Sequence, residues 1–306
     1  MGRRKAKGRD ISGVFLLDKP TGITSNAALQ KVKYLYKANK AGHTGSLDPI
    51  ASGLLPICIG EATKFSHYLL DADKRYQVEA RLGVKTTTGD IEGEVVETAD
   101  IPEFDQDGLK SVLSGFLGKQ EQIPPMHSAI KQNGQPLYKL ARQGISVERK
   151  SREIVIYELN LLATSENSIT LDVKCSKGTY IRTLVEDIAH ALGTCAHVTL
   201  LRRTQVGDFD IENSVTLERL EETLAGSGLT GIDEMLLPSE TAIADWPGVN
   251  LSEDAAYYLR QGQAVLVPKA PTQGLVRLYE GDDNFLGVGC ILDDGRVAPK
   301  RLIKVA

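Results

Sequence analysis

The segment Ala41-Gly-His-Thr-Gly-Ser-Leu-Asp-Pro-Ile-Ala-Ser-Gly-Leu-Leu-Pro56 concentrates the features of a reactive loop. Gly42, Gly45 and Gly53 let backbone come close to a ligand, Pro49 fixes the conformation after Asp48, and the apolar run behind them offers a rigid platform. A carboxylate held this way can act as nucleophile or base. Asp-Pro is also a common turn dipeptide, and His43 reads as a hydrogen-bonded loop residue as readily as a functional one, so the loop alone leaves both readings open. A second cluster, Cys175-Ser-Lys-Gly-Thr-Tyr-Ile-Arg-Thr183, ends a strand at a glycine and starts a helix at once. Arg182 falls in the first turn, where it either points back toward a loop or lies on the surface. The third, His197-Val-Thr-Leu-Leu-Arg-Arg203, is an apolar strand ending in two cations.

Conventional cofactor signatures are missing. Gly83-Val84-Lys85-Thr86 lacks the glycine directly before lysine that a phosphate loop requires, and Gly287-Val288-Gly289 lacks the third glycine and following helix of a dinucleotide site. Cys58, Cys175, Cys195 and Cys290 have no Cys-x-x-Cys spacing, and Cys195 with His197 has no second pair to complete four-coordination. Reduced, buried thiols are expected, with no metal and no cofactor.

Positioning these clusters takes a particular series of elements. Residues 13–17 read as a buried strand followed by a turn. Ser25 is expected to cap a helix whose Leu29, Val32, Leu35 and Tyr36 follow helical spacing, leaving Lys31, Lys33, Lys37 and Lys40 for solvent or phosphate. An apolar strand at 54–59 and a short helix at 61–70 come next. From 75 to 82, Tyr76, Val78, Ala80 and Leu82 alternate with Arg75, Gln77, Glu79 and Arg81, a half-buried strand on which Tyr76 is by pattern a core aromatic. The acidic stretch 90–107 suggests an edge strand and loop, before a helix burying Leu109, Val112, Leu113 and Phe116. Pro124, Pro125, Gly134, Pro136 and Gly144 mark 123–152 as a mobile, cationic excursion. Strands are expected at 153–162 and 168–175, a helix from Thr179 to Leu192 closed by Gly193, and a strand at 196–203. A helix at 216–225 precedes a Gly-rich, acidic segment, 226–250. Short strands at 275–278, 285–290 and 301–305 then suggest a small β-barrel-like module. The fold class is α+β, a mixed sheet flanked by helices with a small C-terminal β-rich domain, divided as 1–245 and 246–306.

The 306 residues, 42% hydrophobic and 25% charged, are enough for two globular domains and exclude disordered and collagen-like classes. No stretch reaches a membrane span, and the cationic N-terminus lacks the apolar core of a secretion signal, so a cytoplasmic protein is expected. The net charge of −4 conceals segregation: residues 1–40 carry ten Lys/Arg against Asp10 and Asp18. Residues 131–152 carry six cations against Glu148, whereas 90–121 hold nine acids and two lysines. That pattern suggests a polyanion-binding face and an opposite face free of it, although such runs are also ordinary solvated surface.

Five ordered motifs together resemble one family. Gly13-Val-Phe-Leu-Leu-Asp-Lys-Pro20, Gly42-His-Thr-Gly-Ser-Leu-Asp-Pro49, Lys74-Arg-Tyr76, Cys175-Ser-Lys-Gly-Thr-Tyr-Ile-Arg-Thr183 and Leu201-Arg-Arg203 make the chain similar, over nearly its whole length, to the bacterial TruB-type tRNA pseudouridine synthases. These isomerise the uridine at position 55 in the T-loop of tRNA. The resemblance implies the pseudouridine synthase fold with a C-terminal PUA-like RNA-binding domain, tRNA as partner, and a monomer with no cofactor, no membrane and no obligate protein partner. It implies Asp48 as the nucleophile, Arg182 as its ion-pair partner and Tyr76 as the residue that stacks on the base and helps remove the C5 proton. Tyr180 and Leu201 match uracil-contacting positions, and His43 matches the histidine that fills the gap left by a flipped base. Lys19, Lys64, Arg142 and Arg202, with Lys31, Lys33, Lys37, Arg149 and Arg203, are candidate phosphate contacts, and 124–152 matches a loop that grips RNA. Whether Asp48 attacks C1′ of the ribose or C6 of the uracil is left open by the residues.

Three other readings compete: a tRNA-binding chaperone on the same fold, a guide-RNA-dependent relative needing protein partners, and a metal-dependent hydrolase. An intact Asp48, Tyr76 and Arg182 argue against the first, and the 124–152 insertion against the second.

Overall fold

In the computed structural model, residues 8–132 and 134–304 are described. The basic Arg3, Arg4, Lys5 and Lys7, and the end of the last expected strand at Val305, lie outside them.

A ten-stranded mixed sheet organises most of the described chain. Its main path runs Val215–Thr216, Gly13–Lys19, Ser52–Ile59, Ala196–Val206, Lys74–Leu82, Ser168–Cys175, Arg152–Thr164 and Gly118–Gln122. The Gly13–Lys19 strand is apolar without alternation because both its faces are covered. Phe15 and Leu17 join the core beneath the helices Ser25–Leu35 and Ile181–Ala191, while Val14 and Leu16 join a second core on the reverse face. The alternation read over 75–82 holds: Val78, Ala80 and Leu82 are buried and Gln77 and Arg81 exposed.

The two halves of the sheet meet at a narrow seam. Ala196–Val206 pairs antiparallel to Lys74–Leu82 along most of its length, but touches Ser52–Ile59 through only Arg202–Ser52 and Arg203–Gly53, in parallel. Gly53 has φ +102, and a Cβ there would lie 2.3 Å from the Arg203 carbonyl oxygen. Gly53→Ala is therefore expected to destabilise the fold by about 2–4 kcal/mol, from strained backbone plus a clash that no side-chain rotation relieves. Urea denaturation checks this, and an unchanged midpoint would contradict it.

The C-terminal module is a four-stranded sheet, Gly248–Leu251, Leu275–Glu280, Asn284–Ile291 and Val297–Leu302, with the helix Glu253–Arg260. It is open rather than barrel-like, extended by an isolated bridge between Val265 and Val297. Leu286 turns into the module's own core, while Phe285 and Val288 join the core behind the large sheet, where Phe285 meets Phe65 edge-on at 5.6 Å.

Three local expectations are corrected. Thr24, not Ser25, caps the first helix: its hydroxyl accepts from the amide of Ala27 at 3.1 Å. The helix expected at 216–225 runs on to Asp233, with a break at Gly228, because Ile232 is fully buried beyond it and its carbonyl accepts from the Tyr36 hydroxyl at 2.7 Å. The acidic run 90–107 is not all edge: Asp90 is only 3% exposed and turns inward. No helix among the described residues is long and apolar enough to cross a membrane.

Candidate active site

A cavity of about 300 Å³ opens above the seam, walled by Asp48, Tyr76, His127, Tyr180, Arg182 and Leu201 among others. Each is delivered by a different element. Ser25, inside the first helix, accepts from the Leu47 amide at 2.7 Å and donates to the Leu47 carbonyl at 3.0 Å, so the helix holds the residue beside Asp48. The strand ending at Cys175 returns as the helix Ile181–Ala191, whose first turn presents Arg182. Tyr180, just before that helix, is clamped by Gln122: its amide donates to Gln122 Oε1 at 2.8 Å and its carbonyl accepts from Nε2 at 3.1 Å.

Arg182 is the hub. Its Nε donates to Asp48 Oδ2 at 3.0 Å, and Nη1 lies 3.3 Å from Asp90 Oδ2 and 2.6 Å from the Thr88 carbonyl. Nη2 donates to the His127 carbonyl at 2.8 Å. The fork is thus occupied on every nitrogen while its side chain is only 6% exposed. Asp90 is fixed in turn by the Thr88 hydroxyl and the Glu92 amide at 3.1 Å. The segment 124–152 thereby touches the site through the backbone of His127, in addition to forming the short helix Leu137–Ala141.

Electrostatics in the cavity follow from burial. Asp48 has its carboxyl pushed above the usual 3.8, by burial first; Arg182 pulls it back down, and nearby Asp90 adds to the rise. About two-fifths of the Asp48 side chain is exposed, so the carboxyl group is accessible from the cleft. The phenols of Tyr76 and Tyr180 are also raised by burial, with Arg203 opposing at Tyr76 and Ser128 opposing at Tyr180. His127 is held low by burial and by Arg182, and His43 by burial and Arg203, so both favour the neutral imidazole. The thiols of Cys58 and Cys175 are pushed up to about 12 by burial, which favours the protonated thiol over the nucleophilic thiolate.

Of the residues singled out in the sequence, Asp48, Tyr76, Tyr180, Arg182 and Leu201 converge on this cavity. His43 does not line it; it pairs with Ile57 in the strand entering the loop, and its Nδ1 is buried without a protein partner. The cations expected at phosphates divide. Lys19 has no exposed surface: its ammonium donates to the carbonyls of Pro20 at 2.7 Å and Ile23 at 2.8 Å, and burial pushes it down to about 8 against the pull of Asp48. Its position makes it a support of the turn before the first helix rather than a phosphate contact. Lys64 is turned inward to Glu61 and to the Leu302 carbonyl at 2.7 Å, linking the two sheets. Arg202 makes a two-pronged pair with Asp18, at 3.1 and 2.7 Å. Arg142 remains exposed, over the ring of Tyr138 at 5.7 Å. Lys31 pairs with Glu221, and Arg149 donates to the Pro124 carbonyl at 3.2 Å.

Arg203 and Asp90 are two further residues that sequence reading misplaced. Arg203 is 1% exposed, donates to the carbonyls of Leu54 at 2.7 Å and Gly45 at 3.2 Å, and so braces the loop that carries Asp48. Lys74 is likewise buried in the wall, donating to the Leu70 carbonyl at 2.8 Å. Because Arg, Lys and Asp are almost always exposed, residue type pointed each of them outward.

Fold and site together define a pseudouridine synthase. The backbone superposes on a crystal structure of a Cbf5–Nop10–Gar1 complex with TM-score 0.73 at 26% identity, over 95% of this chain and 84% of that one. A structure of an H/ACA RNP bound to a substrate RNA containing 2′-deoxyuridine gives the same fold, TM-score 0.73 at 24% identity, over 99% and 92% of the two chains. Within that class the chain belongs to the TruB family. Residues 33–181 match the TruB family pseudouridylate synthase N-terminal domain, 182–244 the tRNA pseudouridylate synthase B C-terminal domain, and 247–303 the pseudouridine synthase II TruB C-terminal domain. A tRNA pseudouridine synthase B of Nitrosococcus oceani is 60% identical over 301 residues, covering 98% of this chain and 97% of the relative. One of Coxiella burnetii is 55% identical over 296 residues, covering 97% and 96%.

Proposed function

We propose that this protein converts uridine 55 in the T-loop of tRNA to pseudouridine, acting in the cytoplasm as a monomer on the T-arm, without guide RNA or protein partner. The observation that carries the reading is the accessible Asp48 carboxylate at 3.0 Å from a buried guanidinium, in a cavity sized for a nucleobase. Relatives named tRNA pseudouridine synthase B that align along almost the whole chain support the substrate.

The reaction breaks the N1–C1′ bond, turns the uracil in place and joins C5 to C1′. Asp48 supplies the electron pair that captures or stabilises the electron-poor centre, as a carboxylate does in glycoside chemistry. The nucleotide leaves its stack to reach Asp48, at a cost of a few kcal/mol. Neutral His43, with its flat ring, is suited to occupy the vacated place. Tyr76 stacks on the base and assists removal of the C5 proton, while Tyr180 and Leu201, which line the same cavity, contact the uracil. Arg182 keeps Asp48 ionised against burial. Arg142 and the rest of 124–152 contact the RNA backbone.

Release of tritium from C5-labelled uridine in a bare tRNA transcript by the purified protein tests the proposal; absence of release, with tRNA bound, overturns it. Activity that persisted after chelation would exclude the metal-dependent reading. The acid limb of kcat/KM is expected to have its midpoint above 3.8, because the active form is the ionised carboxylate and burial raises its pKa. The raised phenols of Tyr76 and Tyr180 should add no alkaline limb near neutrality. A pH profile of transcript turnover measures both.

A further inference from the structure

At the end of the Ser25–Leu35 helix remote from the catalytic loop, the structure exposes a group the reaction does not use. Tyr34 is 80% exposed, more than any other large apolar or aromatic side chain among the described residues. With Lys33 and Lys37 it walls a hollow of about 450 Å³ that also includes the buried Leu35 and Ala38. The hollow shares no residue with the catalytic cavity. Ser25, at the near end of the helix, holds Leu47; at a rise of about 1.5 Å per residue, Tyr34 lies about 14 Å further along the axis.

Two features set this end apart from ordinary solvated surface. Neighbouring Lys31 and Lys40 are tied to Glu221 and Glu61, whereas Lys33 and Lys37 enter no ion pair among the described residues. Lys37 also stands directly after the helix cap Tyr36 with φ 50, in the left-handed region where glycine is the ordinary choice. A lysine stands there against its backbone preference. Gly8 lies in the wall of the same hollow.

We propose that Lys33, Tyr34 and Lys37 form a second RNA-contact site, in which the Tyr34 ring stacks on a base while the two ammonium groups take flanking phosphates. The chemistry is that of single-stranded or loop RNA, which combines an aromatic platform with cations that follow the backbone. The inference rests on tRNA being the substrate, and it places part of that RNA on the helix end beyond the flipped nucleotide.

Steady-state turnover of a tRNA transcript and filter binding of the same transcript, each across a salt series, test it. The double variant Lys33→Ala/Lys37→Ala and the single variant Tyr34→Ala are expected to raise KM and the dissociation constant about tenfold with kcat retained, while Tyr34→Phe stays near wild type. The slope of log affinity against log salt should fall by about one to two for the double variant. Lys37→Gly separates function from structure: it should melt at a higher temperature than wild type while binding RNA less tightly. The competing explanation is that Lys37 complements the negative end of the helix. It predicts the reverse, a lower melting temperature with unchanged binding, and that result overturns the proposal, as does unaltered affinity in the double variant. Failure of the wild type to form pseudouridine would instead count against the reaction, since filter binding still reads the contact.

Discussion

Asp48→Asn is expected to lower pseudouridine formation by about 10³-fold or more while tRNA binding changes little. The substitution keeps the size and shape of the group and removes only its charge and nucleophilicity, so what is lost is an interaction made at the reacting centre. The effect on stability should have the opposite sign. Burial raises the folded-state pKa of Asp48 above 3.8, so ionising it costs folding energy. That cost sets in as pH rises from the unfolded value through the folded one and is fully present at neutral pH. Arg182 retains Asp90 and the carbonyls of Thr88 and His127 when Asp48 is neutralised. The variant should therefore melt no lower than wild type at pH 7, and its advantage should vanish below about pH 4. Tritium release and thermal melts at several pH values measure the two effects. Wild-type turnover would remove Asp48 from the chemistry, and a large drop in melting temperature would show that it serves the fold.

Arg182→Ala should lower kcat by about 10²-fold or more, with a smaller change in KM, because the guanidinium acts on Asp48 rather than on the position of the RNA. It should also destabilise the fold by about 3 kcal/mol, since it leaves the buried Asp90 carboxylate with no cation at 3.3 Å. Arg182→Lys is not a rescue: a point charge cannot reach Asp48, Asp90 and two carbonyls that the planar fork reaches from three nitrogens. Adding Asp90→Asn to Arg182→Ala separates the roles, because stability should recover in the double variant while turnover should not. Recovery of both would make Arg182 a structural counter-ion and nothing more.

Much of the fold was legible in the residues because burial writes its period into a strand or helix. The alternation at 75–82, the continuous apolar run at 13–17 and the helix expected from Thr179, which opens two residues later at Ile181, correspond to elements found in the structure. Boundaries set by a distant partner were less legible. The helix through Gly228 continues because Ile232 is held by Tyr36, a contact nearly two hundred residues away in sequence, whereas the local change to a Gly-rich, acidic composition placed its end at 225.

By itself the sequence determined the loop that carries Asp48, the strand and helix that carry Tyr76 and Arg182, and the likeness to one family, because turn chemistry, periodicity and motif spacing are local properties of the chain. Only the tertiary structure decided which charges face inward. Lys19, Lys74, Asp90 and Arg203 have residue types that normally remain in water, and each is buried here because carbonyls, amides or an opposite charge replace its hydration. Those replacements come from segments far apart in sequence and exist only once the sheet has closed its seam, so no local pattern could announce them.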